Sequence, residues 1–499
     1  MIEDLIGGFG VVLQPINLLI LASAVLIGFV GGALPGISGV ILVVILLPVT
    51  YSMEPTGAFM LLTAIYASSV FSGLITAILY RAPGTPEAVM TALDGYPMTQ
   101  KGEAGKALGV GILSSAVGGM LGTVVLIVAT PLLADIALQF SSPEFFALAV
   151  LGLTVVASLG GNLLLGLIGV CIGLVIASVG LDPLTGATRF TFGSLHLMSG
   201  INLIPVIIGL FAVSEVLKRS QEGDIHLATK KFTIRIFDWP IIRRIRMTVM
   251  RSSLLGTAIG ILPGIGASTA AMVAYSETVR WSKDRKSFGK GAPEGVAAPE
   301  AANNAAAMGA LVPLFALGIP GSGTTAIILG AFIVHGLTPG PTFMTGNSDL
   351  IYAVFVGLLI VNILILVFSR PFIAILSKLL DVPYSVLGPV IVICCIVGTY
   401  SVQNSMMDVW LMLGFGVAGF LLEKIGFPLV SIILGVVLGP IAESELRRSL
   451  AMTRGDPSVF WTRPISAILL AIAIALVVMT VVMPLLRRRK ARKDALRDA

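Results

Sequence analysis

The chain has 499 residues, of which 56% are hydrophobic and only 12% charged, and its mean hydropathy is +1.00. That balance excludes a soluble globular protein, and apolar runs that reach the roughly 20 residues needed to cross about 30 Å of hydrocarbon mark a polytopic membrane protein. The formal charge of +6 falls in loops flanking apolar stretches, so it reads as topology and predicts no nucleic-acid partner.

The runs are too long and unbroken for the alternating strands of an outer-membrane barrel, and 56 glycines suit helices that approach closely. Residues Met1 to Asn17 carry Glu3 and Asp4 where a signal peptide has a basic region, so no cleavable signal is expected. The first apolar stretch, about Ile16 to Thr50, is interrupted by Leu34-Pro35-Gly36-Ile37-Ser38 and has no lysine or arginine on either flank. Lipid cannot satisfy free backbone groups, so such a break survives only where protein or a water-filled cavity surrounds it. A re-entrant hairpin over 16–50 is the expectation. The next stretch, about Gly57 to Tyr80, runs into Arg81 and, outside the hairpins, the first break, Ala82-Pro83-Gly84-Thr85-Pro86. Four more apolar segments follow, from about Ala107 to Thr130, Glu144 to Leu159, Asn162 to Val179 and Met198 to Val216.

A basic stretch from Lys218 to Arg251, with Arg243, Arg244 and Arg246, marks a cytoplasmic loop at 218–246. After it, the apolar stretch 247–279 is broken at Leu262-Pro263-Gly264-Ile265-Gly266 and followed by Arg280, Lys283, Arg285 and Lys286. Basic flanks on both sides predict a hairpin that enters and leaves on the cytoplasmic side. From Lys290 the chain runs outward through Ile319-Pro320-Gly321-Ser322-Gly323-Thr324-Thr325 to a loop without basic residues, His335 to Asp349, then back to Arg370 and Lys378. The basic tail Arg487-Arg488-Arg489-Lys490 is cytoplasmic only if Phe427 to Gly439 makes a crossing that the more polar Asp182 to His196 does not.

The breaks pair up. Pro35 and Pro263 lie 228 residues apart, Pro83 and Pro320 237, and Pro131 and Pro371, like Pro143 and Pro383, 240. Much of the added length falls in the basic loop from Lys283 to Lys290. The expected fold is therefore an all-α polytopic membrane protein of two inverted-topology repeats, each with a re-entrant hairpin and a broken helix, in roughly 11–12 membrane segments. Repeat one would occupy 1–217, the basic loop 218–246, repeat two 247–463, and a last transmembrane helix with its tail 464–499.

Matched breaks in two halves point to a transporter's substrate site. A half-helix presents unpaired N–H groups and a partial positive charge at its N-terminus, which suits a carboxylate. The substrate-binding candidates are Pro35, Gly36, Ser38, Pro83, Gly84, Thr85, Pro263, Gly264, Ser268, Pro320, Gly321, Ser322, Thr324 and Thr325. Thr85 and the Ser322, Thr324 and Thr325 hydroxyls would start the half-helices after Pro83 and Pro320. Exposed carbonyls at Gly36, Gly264 and Gly321 would coordinate sodium. Asn303 and Asn304 read either as interhelical hydrogen bonds worth roughly 1 kcal/mol or less, or as cavity lining. Glu300 is expected near the cytoplasmic mouth and Asp94 in a polar stretch, both solvated.

Cys171, Cys394 and Cys395 sit in apolar helices and read as small buried hydrophobes. His196, His226 and His335 show no metal-ligand spacing. With no G-x-x-x-x-G-K-[ST] loop and no Ser/His/Asp arrangement, neither ATP hydrolysis nor an enzyme is expected. What remains is secondary transport driven by an ion gradient, with a gated channel for small organic anions as the alternative.

The stretches GALPGISG from Gly32, APGTPEAVMTALDGYPM from Ala82, GILPGIGAS from Gly260 and VAAPEAANNAAAMGALVPLFALGIPGSGTTAIILGAFIVHGLTPGP from Val296 resemble the signature regions of the large membrane subunit of the tripartite tricarboxylate transporters, the TctA family. The resemblance runs nearly end to end. It implies a multi-pass permease of the bacterial inner (cytoplasmic) membrane, working in the lipid bilayer with a small membrane subunit of about four helices and a periplasmic solute-binding protein. It also implies uptake of a carboxylate, a tricarboxylate such as citrate or a related organic acid, coupled to sodium or protons and without a cofactor. The identity of the carboxylate does not carry over, because specificity would reside largely in the separate binding protein.

Overall fold

Apolar sequence without alternation folds as helix, and the computed structural model, which describes residues 2–34, 38–159, 163–182, 185–221, 233–234, 236–379 and 384–478, is helical almost throughout. The first helices are α1 (Ile2–Val12), α2 (Pro15–Ala33), α3 (Gly39–Thr50), α4 (Pro55–Tyr80), α5 (Ala92–Gln100) and α6 (Ala104–Ala137). Then come α7 (Ser142–Leu159), α8 (Leu163–Ala177), α9 (Leu195–Met198), α10 (Leu203–Ile207), a π-helical turn (Ile208–Val213) and α11 (Ser214–Arg219). The second half carries α12 (Trp239–Ile261), α13 (Gly266–Trp281), α14 (Pro293–Gly309), α15 (Leu311–Leu317), α16 (Gly323–Val334), α17 (Pro341–Gly346) and α18 (Ser348–Leu379). It ends with α19 (Tyr384–Gln403), α20 (Met406–Lys424), α21 (Leu429–Met452), α22 (Val459–Thr462) and an apolar helix at Pro464–Val478.

Among the described residues six helices, α2, α4, α6, α18, α20 and α21, are long and apolar enough to cross a membrane. The protein is a multi-pass membrane protein. The apolar stretch at 427–439 lies in α21, whereas Asp182 to His196 contains no comparable helix among its described residues and instead includes strand β2 (Thr188–Arg189), paired with β1 (Gly180–Leu181). Both hairpin stretches are helix–break–helix: α2 and α3 flank one break, α12 and α13 the other. Pro35 and Gly36 lie outside the described residues, as does His226.

Local chemistry sets these ends. Proline opens α2 and α4 at the first helical position, where a missing N–H is harmless. Ser38 caps α3 by accepting from the Ile41 N–H. Gly318, left-handed at φ 70°, closes α15.

The chain forms two compact units, one of residues 1–138 and 207–420, the other of 139–206 and 421–499. In the first, α4 is buried along its whole length from Gly57 to Ile78, so it is apolar all round rather than amphipathic. Helix α14 lies between α6, α12 and α13. Alanines let it come close, since Gly256 and Gly260 of α12 sit against the backbone of Ala302 and Ala306. In the second unit α7, α8 and α21 pack together. Beside them an ion-pair cluster joins Arg189 to Asp182 and Glu443, and Arg447 to the same two carboxylates. Cys395 is buried as expected, but Cys171 and Cys394 face outward from their helices. In a membrane protein an apolar surface faces lipid, so a small hydrophobe need not be inside.

Candidate functional site

Three of the four breaks have described backbone at their centre; within the first unit the Pro83 and Pro320 breaks lie against α4, and the Pro263 break touches the Pro320 break. Helix α4 ends at Tyr80 because Arg81 turns left-handed, at φ 59°. The chain then doubles back, and the Gly84 N–H donates to the Gly73 carbonyl of α4 at 3.2 Å. A methyl group on Gly84 would lie 2.2 Å from the Gly32 carbonyl oxygen, so only glycine fits between α2 and α4 here. Thr85 packs on Gly73, and the buried Thr76 hydroxyl finds no hydrogen-bond partner among the described residues. The expected half-helix after Pro83 is absent. A three-residue 3₁₀ turn that opens on Pro86, Pro86–Ala88, and then the short polar α5, which contains both Gly95 and Pro97, follow instead.

The edge of the first hairpin break reaches the same helix. Ser38 and Gly39 border it, and Gly39 lies against Ser69 of α4. Ser72, one turn on, donates to the Gly28 carbonyl of α2 at 2.9 Å. Helix α4 thus presents a line of small polar residues, Ser68, Ser69, Ser72, Gly73 and Thr76, to these two breaks.

In the second half the two breaks touch directly. The Gly264 N–H, on a glycine held at φ 84°, donates to the Gly321 carbonyl at 2.9 Å. Ser322 starts α16 as a capping box: its side chain accepts from the Thr325 N–H, and its own N–H donates to Thr325 Oγ1 at 2.7 Å. Tyr66 of α4 meets the Ser322 hydroxyl at 3.3 Å. The hydroxyls of Ser322 and Thr325 are therefore engaged by the cap, while the Thr324 hydroxyl makes no hydrogen bond among the described residues. Ser268, in the first turn of α13, is half-buried.

Sequence reasoning missed a buried polar layer beside the first break. Glu300 and Asp94, expected to be solvated, are both 0% exposed. Thr91 and Ser115 donate to the two Glu300 carboxylate oxygens at 2.5 and 2.8 Å. Asp94 accepts from the Tyr275 hydroxyl and from the Gly291 and Ala292 N–H groups, each at 2.8 Å. A charge is stable inside a protein when donors replace its water. Asn303 joins this layer, donating to the Glu87 carbonyl at 3.3 Å, and accepts from Asn304 at 2.8 Å. The asparagine pair thus lies beside the segment that follows the first break. The signal was the spacing Glu300, Asn303, Asn304 on an alanine-rich helix, which puts three polar groups on one face.

A mostly helical multi-pass membrane protein whose core brings Pro-Gly breaks together beside buried carboxylates held by hydroxyl and N–H donors belongs structurally with membrane transporters. The profile of the tripartite tricarboxylate transporter TctA family matches residues 18–434, and the chain belongs to that family. It is similar to an uncharacterized 52.8 kDa protein in the TAR-I ttuC' 3' region of Agrobacterium vitis, 40% identical over 474 residues, 95% of this chain and 94% of that one. An uncharacterized protein in the TAR-II ttuC' 3' region of the same organism is 42% identical over 217 residues, 44% of this chain and 90% of that protein. No solved structure matches the chain.

Proposed function

We propose that the chain is the large permease subunit of a binding-protein-dependent secondary transporter that imports a carboxylate on a sodium or proton gradient. The observation that carries this reading is the Gly264 N–H to Gly321 carbonyl bond, which joins two breaks separated by a whole hairpin arm and two further helices. Tyr66 then links that pair to the helix on which the first break folds back. The site comprises the candidate residues at the breaks. At its second-half side the first turn of α16 offers N–H groups and the Thr324 hydroxyl to a carboxylate, without an arginine. Carbonyls at Gly36, Gly264 and Gly321 serve a sodium ion if sodium is the coupling ion.

The architecture that goes with it is a pair of inverted repeats, 1–217 and 247–463, whose hairpins enter from opposite sides. The 218–246 loop and the 464–499 tail then have their basic residues in the cytoplasm of a bacterial inner membrane. A small membrane subunit completes the permease, and a periplasmic solute-binding protein delivers the substrate. The test is uptake of radiolabelled citrate and related organic acids into right-side-out vesicles with and without the binding protein. Saturable uptake that needs the binding protein supports the reading; non-saturating flux indifferent to it replaces the carrier by a gated anion channel.

A further inference from the structure

Glu300 is fully buried on α14, a helix packed against α4, α5, α6, α12 and α13. Two hydroxyls, Thr91 Oγ1 and Ser115 Oγ, take its oxygens, and no salt bridge reaches it among the described residues. Ionised, it would rest on two neutral hydroxyl donors with no cation beside it among the described residues, in a low-dielectric interior where an unpaired charge is costly.

Of the charged groups on the surrounding elements, Arg243 and Arg246 of α12 and Asp135 of α6 are exposed, Arg280 of α13 pairs with Glu277, and others are engaged away from Glu300. Arg244 of α12 pairs with Glu294 at 2.5 Å, and Arg251 lies over the Trp281 ring. Lys106 of α6 pairs with Glu103 at 2.8 Å. Tyr275 of α13 donates to Asp94 of α5, and Tyr66 of α4 meets Ser322. Glu87, in the turn after the first break, has the same sign as Glu300 and lends its carbonyl to Asn303. Among the described residues the neighbourhood thus offers hydroxyls, amides and a second carboxylate, but no cation paired with Glu300.

We propose that Glu300 is the proton-carrying group of this transporter, an inference that rests on the transport reading above and commits its coupling ion to the proton. A proton from the outer aqueous phase forms an O–H bond on the Glu300 carboxylate. On the inner side that bond breaks, the proton passes to water and the carboxylate is restored, with nothing oxidised or reduced. Both Thr91 and Glu87 belong to the short segment that follows the first break, so the protonation state of Glu300 acts on that break. Neutral Glu300 lets the segment close around it, whereas the ionised form draws water in and parts it from α14. A substrate carboxylate binding nearby adds negative charge and favours the neutral form, so proton and substrate enter together.

Infrared difference spectroscopy on the full-length chain in lipid at neutral pH, comparing wild type with Glu300→Gln, reads this without any substrate. The expected result is a protonated carboxylic-acid C=O band in wild type, shifted in heavy water and missing from the variant. Identical carboxylic-acid spectra in the two overturn the proposal. Glu300→Asp covers the case in which the glutamine variant fails to fold, since its band must move in frequency and not persist unchanged. In vesicles holding the complete transporter with citrate as the probe, a trapped pH dye should report lumenal acidification in wild type that Glu300→Gln loses. Acidification that persists in the variant, or wild-type uptake driven by sodium alone, also overturns it. Should wild type take up no citrate, the carrier reading fails for that substrate, and the infrared comparison alone decides the proton site.

Discussion

Replacing Gly84 by alanine places a methyl carbon 2.2 Å from the Gly32 carbonyl oxygen, 3.0 Å from Thr76 Oγ1 and 3.2 Å from Gly73 Cα. A carbon and a carbonyl oxygen rest at about 3.3–3.6 Å, so the segment must withdraw by about 1 Å from walls that are backbone on two sides. Overpacking of this kind costs about 1–3 kcal/mol. The Gly84 N–H bond to Gly73 goes with it, adding about 0.5–1.5 kcal/mol. A total of about 2–4 kcal/mol expressed at the substrate site lowers affinity by about 30- to 1,000-fold. Folded yield by fluorescence-detected size exclusion separates loss of protein from loss of function, and the concentration dependence of uptake then gives the effect on the site. Gly414→Ala, where an added methyl group meets nothing within 4 Å, is the control and should behave as wild type. A Gly84→Ala protein with wild-type yield and wild-type uptake would remove the first break from the site.

Thr324→Val deletes a hydroxyl that makes no hydrogen bond among the described residues, so substrate affinity should fall by about 10- to 150-fold, the 1.5–3 kcal/mol of a hydrogen bond to a charged group, with no change in melting temperature. Ser322→Ala should do the reverse, costing about 0.5–2 kcal/mol of cap stability that appears as a lower melting temperature; a stability loss in Thr324→Val instead would exchange the two roles. Tyr275→Phe removes a donor from buried Asp94 and should destabilise the folded state by about 1.5–3 kcal/mol, measured by thermal unfolding in lipid nanodiscs. In a cysteine-free background, Ser38→Cys and Ser268→Cys should react with an impermeant thiol reagent from opposite sides of the membrane; labelling of both from one side contradicts the inverted arrangement.

The helix ends and breaks were legible because proline and glycine act locally: Pro35, Pro83, Pro263 and Pro320 remove a donor or bend the chain wherever the neighbours lie. The pairing of Gly264 with Gly321 was foreseeable only as convergence, since which N–H meets which carbonyl depends on tertiary packing. The half-helix after Pro83 was expected by analogy with the one after Pro320, yet the two sequences differ. GSGTTAIILG continues apolar, whereas GTPEAVMTALDGYPM carries two prolines, Pro86 and Pro97, two acidic residues, Glu87 and Asp94, and Gly95. Buried Glu300 and Asp94 were misplaced for a different reason. A charged residue near a basic loop is solvated by default, and only the donors supplied by Thr91, Ser115, Tyr275 and two backbone N–H groups reverse that. Those donors come from four separate segments, and their assembly around the two carboxylates follows from the fold rather than from any local pattern.

The most direct test of gradient-driven carboxylate import uses vesicles that contain the large and small membrane subunits, supplied with binding protein and a radiolabelled carboxylate, under an imposed inward ion gradient. The account predicts that the carboxylate accumulates inside above its external concentration, that accumulation requires the binding protein, and that it collapses when an ionophore dissipates the gradient. Uptake that only equilibrates, at the same rate with and without the gradient, would contradict it.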